Sequence, residues 1–329
     1  MGNELIYWSL LAHTNEIKRK TKFQILDLAE AGLKNFIEAG LPGLDSATRK
    51  KTRPVWEDAA NQALVLQDLD HRGISLVIDR DTRYPERLRT SLKDQAPLLL
   101  YAAGNPSLMS AERTVAIIGA RDATPFSMAL AGKAAAFFAG TGYVVVSGFA
   151  RGIDRGAFNG SLAGGGATIA VLPHGLLDKS SLEALGRHTG SINSGQVLFI
   201  SEVHPRAPWQ AGFAIMRNRL IAGLADFVIV IHAGPKSILR QGRQTNSGTW
   251  QAAACAQKLG RQVFVLDLPE DDTTNRAMAE ELGRLIPVTK DDGMFRLILE
   301  EISHLSGKDK IIDDRTTGRH VQGSLGLQF

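Results

Sequence analysis

Val144-Val145-Val146-Ser147-Gly148-Phe149-Ala150-Arg151-Gly152-Ile153-Asp154 is the stretch that decides the fold: a short apolar run turns through glycines into the start of a helix. An unbroken β-branched run of this length suits a strand buried on both faces, the habit of parallel sheets. The same grammar recurs on either side. Val115-Ala116-Ile117-Ile118 runs into Gly119-Ala120-Arg121, residues 167–172 run into Pro173-His174-Gly175, and residues 227–231 feed a loop ending Asn246-Ser247-Gly248-Thr249. Met216-Arg217-Asn218-Arg219 opens a helix between them. Further strands are expected at 197–203 and 262–266, and helices at 127–139, 157–163, 217–224 and 248–259. The alternation predicts an α/β fold, a doubly wound and mostly parallel sheet. In such a sheet the loops gather at the carboxyl ends of the strands, where ligands bind. Helix N-termini there offer unpaired N–H groups to phosphate, so a phosphate-bearing ligand is expected.

Bulk properties narrow the class. A chain of 329 residues can hold a full α/β core and a smaller domain. With 44% hydrophobic and 22% charged residues, disordered and fibrous classes are excluded. No run approaches the roughly 18 apolar residues of a membrane span. Met1-Gly2-Asn3-Glu4-Leu5 places an acid where a signal peptide is basic, so a cytoplasmic location is expected. Cys255, the only cysteine, lies among alanines and reads as core; it permits no intramolecular disulfide. The net charge of +4 is a modest tilt toward acidic partners. Much of the basic charge falls early, in Lys18-Arg19-Lys20, Lys22, Arg49-Lys50-Lys51, Arg53, Arg83, Arg87 and Arg89. A solvated face is the ordinary reading of such clusters, and contact with a nucleic-acid backbone is the alternative.

The organisation expected is a helical N-terminal domain at 1–75, a connecting segment at 76–113, the main α/β domain at 114–290, and a C-terminal helix with a flexible tail at 291–329. Residues 41–48 resemble a helix-hairpin-helix turn, but Asp45 stands where its second glycine belongs. A plain connection between helices is the favoured reading.

The expected phosphate-binding set comprises Gly119, Arg121, Ser147, Gly148, Arg151, Gly152, Asp154, Arg217, Asn218, Arg219, Lys236, Arg240, Arg243, Ser247, Gly248 and Thr249. Glycine allows a close approach of backbone to ligand, serine can donate to an oxygen, and arginine grips oxyanions. Asp154 suits a cap or an arginine's orienting partner better than a base. Arg217 and Arg219, two apart, do not share a helix face, so one is expected to reach the ligand while the other braces a loop. No G-x-G-x-x-G and no G-x-x-x-x-G-K-[ST] occurs at the strand ends, which sets aside nicotinamide and P-loop chemistry. His174 stands in a ligand-side loop, but His188, His204 and His232 have no metal-ligand spacing with it. Ser147 lacks a nucleophile elbow. No catalytic residue, metal or cofactor is expected.

These residues resemble the DNA-processing protein A (DprA/Smf) family of the SLOG superfamily. The carriers are Gly119 and Arg121, the block from Ser147 to Asp154, Arg217-Asn218-Arg219 with its apolar helix, and Ser247-Gly248-Thr249. Tyr84-Pro85-x-x-Leu88 and residues 97–104 resemble the family's lead-in, so the likeness covers about residues 80–268. It implies a Rossmann-like domain behind a small helical N-terminal domain. It further implies binding of single-stranded DNA, a homodimer, and delivery of the DNA to a RecA-type recombinase. Departures point to a divergent paralogue. Leu176-Leu177-Asp178-Lys179 replaces a tyrosine-proline, and Phe213-Ala214-Ile215-Met216 replaces a phenylalanine-proline. The loop from 231 to 247 is longer than usual and adds Lys236, Arg240 and Arg243. Leu268-Pro269-Glu270-Asp271-Asp272 replaces a proline-glycine, and no winged-helix domain is read after it. Two rivals use the same pocket: a nucleotide-signal sensor of a defence system, and a phosphoribohydrolase of the LOG type. The second needs a glutamate where Ala252 stands.

Overall fold

The computed structural model describes residues 2–240, 243–269 and 273–305. The tail expected at 308–329 and the departing residues Glu270, Asp271 and Asp272 lie outside them. Five helices come first: α1 (Gly2–His13), α2 (Arg19–Leu28), α3 (Leu33–Glu38), α4 (Ser46–Glu57) and α5 (Ala59–His71). Gly32, at φ 103°, separates α2 from α3. In the turn before α4, Leu41 and Gly43 take φ 59° and 80°, and Asp45 caps the helix by accepting from Thr48 N at 2.9 Å.

Next come β1 (Ile74–Ile78), α6 (Glu86–Leu92), β2 (Leu99–Gly104), β3 (Thr114–Ile118), α7 (Pro125–Gly140), β4 (Val144–Ser147), α8 (Ile153–Ala163) and β5 (Thr168–Val171). After them stand α9 (Lys179–Arg187), α10 (Thr189–Asn193), β6 (Val197–Ser201), α11 (Ala211–Leu224) and β7 (Phe227–Val230). A hairpin of β8 (Ser237–Arg240) and β9 (Arg243–Asn246) precedes α12 (Gly248–Lys258), β10 (Gln262–Asp267), α13 (Thr273–Leu282) and β11 (Arg284–Pro287). The strands form a nine-stranded sheet in the order β1-β2-β6-β5-β4-β3-β7-β10-β11. Pairing is parallel from β6 across to β11 and antiparallel at β1–β2 and β2–β6. The doubly wound, mostly parallel sheet is therefore present. The chain winds outward from β3 to β6 and then returns to β7 on the other side of β3. That reversal is the switch point at which such sheets open a crevice.

The strands' side chains alternate between two cores. On one face Ala116, Ile118, Val146, Ile169, Leu198 and Val228 pack with Leu88 of α6, Leu220 of α11 and Trp250 of α12. On the other, Tyr101, Ala170 and Phe199 pack with Trp8 and Leu11 of α1, Leu69 of α5 and Phe158 of α8. Each fully buried side chain of this size contributes about 1.5–3 kcal/mol. The N-terminal helices are joined to the sheet by polar contacts as well. Tyr101 OH shares hydrogen bonds with Ser9 Oγ at 2.6 Å and His13 Nε2 at 2.9 Å, and Gln62 Nε2 donates to Ser9 Oγ. Residues up to Val288 thus form one compact unit. Residues from Thr289 form a second, which carries α14 (Gly293–Leu305).

Candidate functional site

Close packing of the loops after β3 and β4 builds the site. Gly119 lies against α8 so tightly that a Cβ there would stand 2.6 Å from Ile153 Cγ1. Gly152, at φ 85°, lets the chain turn into α8 beside the backbone of Ala120 and Arg121. Between them Asp154 is buried. Burial raises its pKa, while the nearby Arg217 charge and the backbone amides of Ala150, Gly119 and Gly148 act to lower it. The amides of Gly119 and Gly148, two members of the expected phosphate-binding set, are thus directed to this carboxylate. The Ser147 hydroxyl is likewise committed, donating to the Asp154 carbonyl at 3.3 Å and accepting from Phe149 N at 3.4 Å. Its burial is complete, so the expectation that it donates to a ligand is corrected.

The loops after β3, β4 and β5, together with α9 and α11, enclose a cleft of about 370 Å³. Its lining includes Arg121, Asp122, Gly148, Phe149, Arg151, Arg155, His174, Arg187, Trp209 and Arg217. Arg217 forms the floor. Only 6% of it is exposed, and its guanidinium lies over Gly148 so closely that a Cβ at 148 would overlap Nη1. Nε and Nη1 have no protein hydrogen-bond partner among the described residues. Burial brings its pKa down to about 10, with Asp154 opposing and Arg121 reinforcing the shift, so it stays charged at neutral pH. Around it, Arg121 lies 5.5 Å from the Trp209 ring centroid, and Arg151 pairs with Asp122. Arg155 stacks 3.9 Å over Phe149, a residue held at φ 55° by packing against Phe158 and Phe199. His174 Nδ1 shares a 2.8 Å hydrogen bond with Ser181 Oγ; burial lowers its pKa against the pull of Asp178.

Of the sequence-expected set, Arg121, Gly148, Arg151 and Arg217 line this cleft, with Gly119, Gly152 and Asp154 shaping the loops beneath it. The others are placed elsewhere. Arg219 forms a bidentate ion pair with Glu202 and donates to Gln95 O at 3.1 Å, because the residue two along a helix points away. Asn218 Nδ2 donates to Gly248 O at 3.2 Å, tying α11 to the start of α12. Lys236 pairs with Glu281 and lies over Trp250, and Ser247 N donates to Lys236 O. Ser247, Gly248 and the buried Thr249 are not among the cleft's lining residues, since the β8–β9 hairpin carries that segment off. Arg240 and Arg243 pair across the hairpin; their side chains lie outside the described part. Sequence reasoning missed Arg155, Arg187 and Trp209. Arg155 lies in the first turn of α8, just after the glycine turn that carries Arg151, a usable signal; Arg187 and Trp209 carried none beyond an aromatic in a polar loop.

A family profile described as DNA recombination-mediator protein A matches residues 75–286. The DNA processing protein DprA of Bacillus subtilis is 30% identical over 205 residues, 61% of this chain and 63% of that protein. That of Streptococcus pneumoniae is 34% identical over 172 residues, 52% of this chain and 56% of that protein. The matched stretch thus spans about three fifths of either relative. Among solved structures, the Streptococcus pneumoniae protein covers 87% of this chain and 94% of its own at TM-score 0.61 and 23% identity, which shows a shared fold. DNA processing protein A from Helicobacter pylori, whose structure is described in terms of its single-stranded DNA binding mode, gives TM-score 0.55 at 26% identity. It covers 70% of this chain and 98% of its own. Among the described residues, no helix is long and apolar enough to cross a membrane, and no cluster of His, Cys, Asp and Glu is arranged to hold a metal.

Proposed function

The chain belongs to the DNA recombination-mediator protein A family, and on that footing we propose that it binds single-stranded DNA by drawing backbone phosphate onto Arg217. One observation carries the reading: a charged guanidinium, almost wholly buried at the base of an arginine-rimmed cleft, with two nitrogen groups unpaired. Such a group is costly to bury. An oxyanion offsets the cost by accepting the fork of N–H donors. Arg121, Arg151, Arg155 and Arg187 add further positive charge around the cleft, which favours a polynucleotide. Delivery of the strand to a RecA-type recombinase, action as a homodimer, and a place in cytoplasmic DNA uptake or recombination complete the proposal; these rest on the family resemblance. Binding rather than turnover is the activity proposed. The position where a phosphoribohydrolase carries its glutamate is Ala252, buried in α12.

The size of the cleft supports a second reading, a small nucleotide signal, since about 300–1,000 Å³ is usual for such ligands. Fluorescence-anisotropy titration with single-stranded oligonucleotides of graded length, against mononucleotides and cyclic dinucleotides, separates the two. Affinity that climbs with strand length supports the first; a cyclic dinucleotide binding more tightly than any oligonucleotide supports the second. Sedimentation showing only monomer at tens of micromolar, with and without DNA, removes the dimer.

A further inference from the structure

Four tryptophans occur in the chain, and three are core residues: Trp8, Trp56 and Trp250 are 3%, 9% and 5% exposed. Trp209 is 46% exposed, the one aromatic among the exposed large apolar side chains of the described residues. It stands just before α11 at the lip of the cleft whose floor is Arg217. One side of its indole is engaged by the Arg121 guanidinium, 5.5 Å from the ring centroid and within cation–π range. Arg121 in turn lies close enough to Arg217 for their charges to repel. An apolar plane is thus held beside two oxyanion donors, one of them buried and unpaired. The core gains nothing from leaving a side chain of this size in water.

We propose that Trp209 is a nucleobase platform: an unstacked base lies on the indole while its own phosphate is held by Arg121 and Arg217. This deepens the proposed single-strand binding and rests on it. A base can use the platform only when its faces are free, so the subsite rejects a paired, stacked duplex on geometric grounds. Every base has a π-face, so the platform is tolerant of sequence. Stacking is not a charge interaction, so its contribution persists in salt that weakens the arginine contacts.

The test compares an oligothymidylate with an abasic strand of the same length and phosphate count. All four tryptophans emit, but the three buried ones are shielded from contact with an added strand, so the emission change that Trp209→Phe abolishes reports on Trp209. In the parent, the base-bearing strand is expected to quench that component and the abasic one is not. Trp209→Ala is expected to weaken oligothymidylate binding about tenfold relative to the abasic strand, while Trp209→Phe retains most of the preference. The tenfold ratio corresponds to about 1.4 kcal/mol. It should hold as salt rises, whereas the loss caused by Arg217→Ala shrinks. Equal affinity of the parent for both strands overturns the platform and leaves the cleft's phosphate binding standing. Equal losses on both strands in Trp209→Ala, or binding without quenching, overturn it as well. If the parent binds neither strand, the inference falls together with the reading beneath it. Thermal melts establish that the variants are folded; the exposed position makes them tolerable.

Discussion

Arg217 occupies the space that any side chain at position 148 would need, so Gly148 and Arg217 act as one device. Arg217→Ala is expected to weaken DNA binding by about 1.5–3 kcal/mol, the usual loss for a charge-assisted hydrogen bond. Gly148→Ala should weaken it similarly, because a methyl there pushes the guanidinium off the floor. An anisotropy titration in which Gly148→Ala binds as well as the parent contradicts this coupling. Asp154 adds a pH dependence. Its folded pKa is raised, chiefly by burial, and Arg217 restrains the rise. A carboxyl with a raised folded pKa holds its proton longer in the native state, so stability falls as pH climbs through that pKa. Arg217→Met removes the restraint. Its melting temperature should therefore drop furthest below the parent's at neutral and higher pH, and recover on acidification. In an Asp154→Asn background the pH-dependent part of the difference should vanish.

Among the elements, what was legible depended on how each buries its side chains. β3, β4, β5 and β7 are central strands, buried throughout and largely apolar, and their sequences announce them. β2 and most of β1 fall in the segment expected to be a connection, yet they add an antiparallel flank to the sheet. β11 is a short edge strand containing Arg284 and Pro287, and β8 and β9 form a hairpin outside the main sheet; these lack the apolar signature. Small residues mark the helix expected at 127–139, but their purpose appears only in the packing. Gly160 of α8 lies so close to Gly132 of α7 that an added Cβ would overlap its backbone. Gly160→Ala should therefore force the two helices apart and lower stability by about 1–3 kcal/mol, measured by denaturant unfolding. The site was half legible for the same reason. Motif spacing identified Arg121 and Arg217, but only the fold could turn Arg219 toward Glu202 and bring Arg155, Arg187 and Trp209 to the cleft.

At the scale of the whole molecule, a net charge of +4 is too small to attract DNA unaided, so the placement of charge decides. Much of the early basic charge proves to be internal bracing. Arg19 donates to the carbonyls of Asp94 and Ala96, and Lys22 donates to Ala12 O. Arg83 and Arg89 pair with Asp81 and Asp79, and Arg87 reaches Thr114, Leu224 and Asp226. What remains at the surface of that region is chiefly Lys18 just before α2 and Lys20 in its first turn, and Arg49, Lys50, Lys51 and Arg53 on α4. Each phosphate neutralised on a single strand should contribute about −0.7 to the slope of log K against log salt. Arg187→Ala, in the cleft, should make the measured slope shallower by about that amount. Lys50→Ala with Lys51→Ala should leave it unchanged, because those lysines stand on a solvated helix face and not in the cleft. A slope that ignores Arg187 and flattens with the α4 pair would move the DNA path from the ends of the parallel strands to the N-terminal helices.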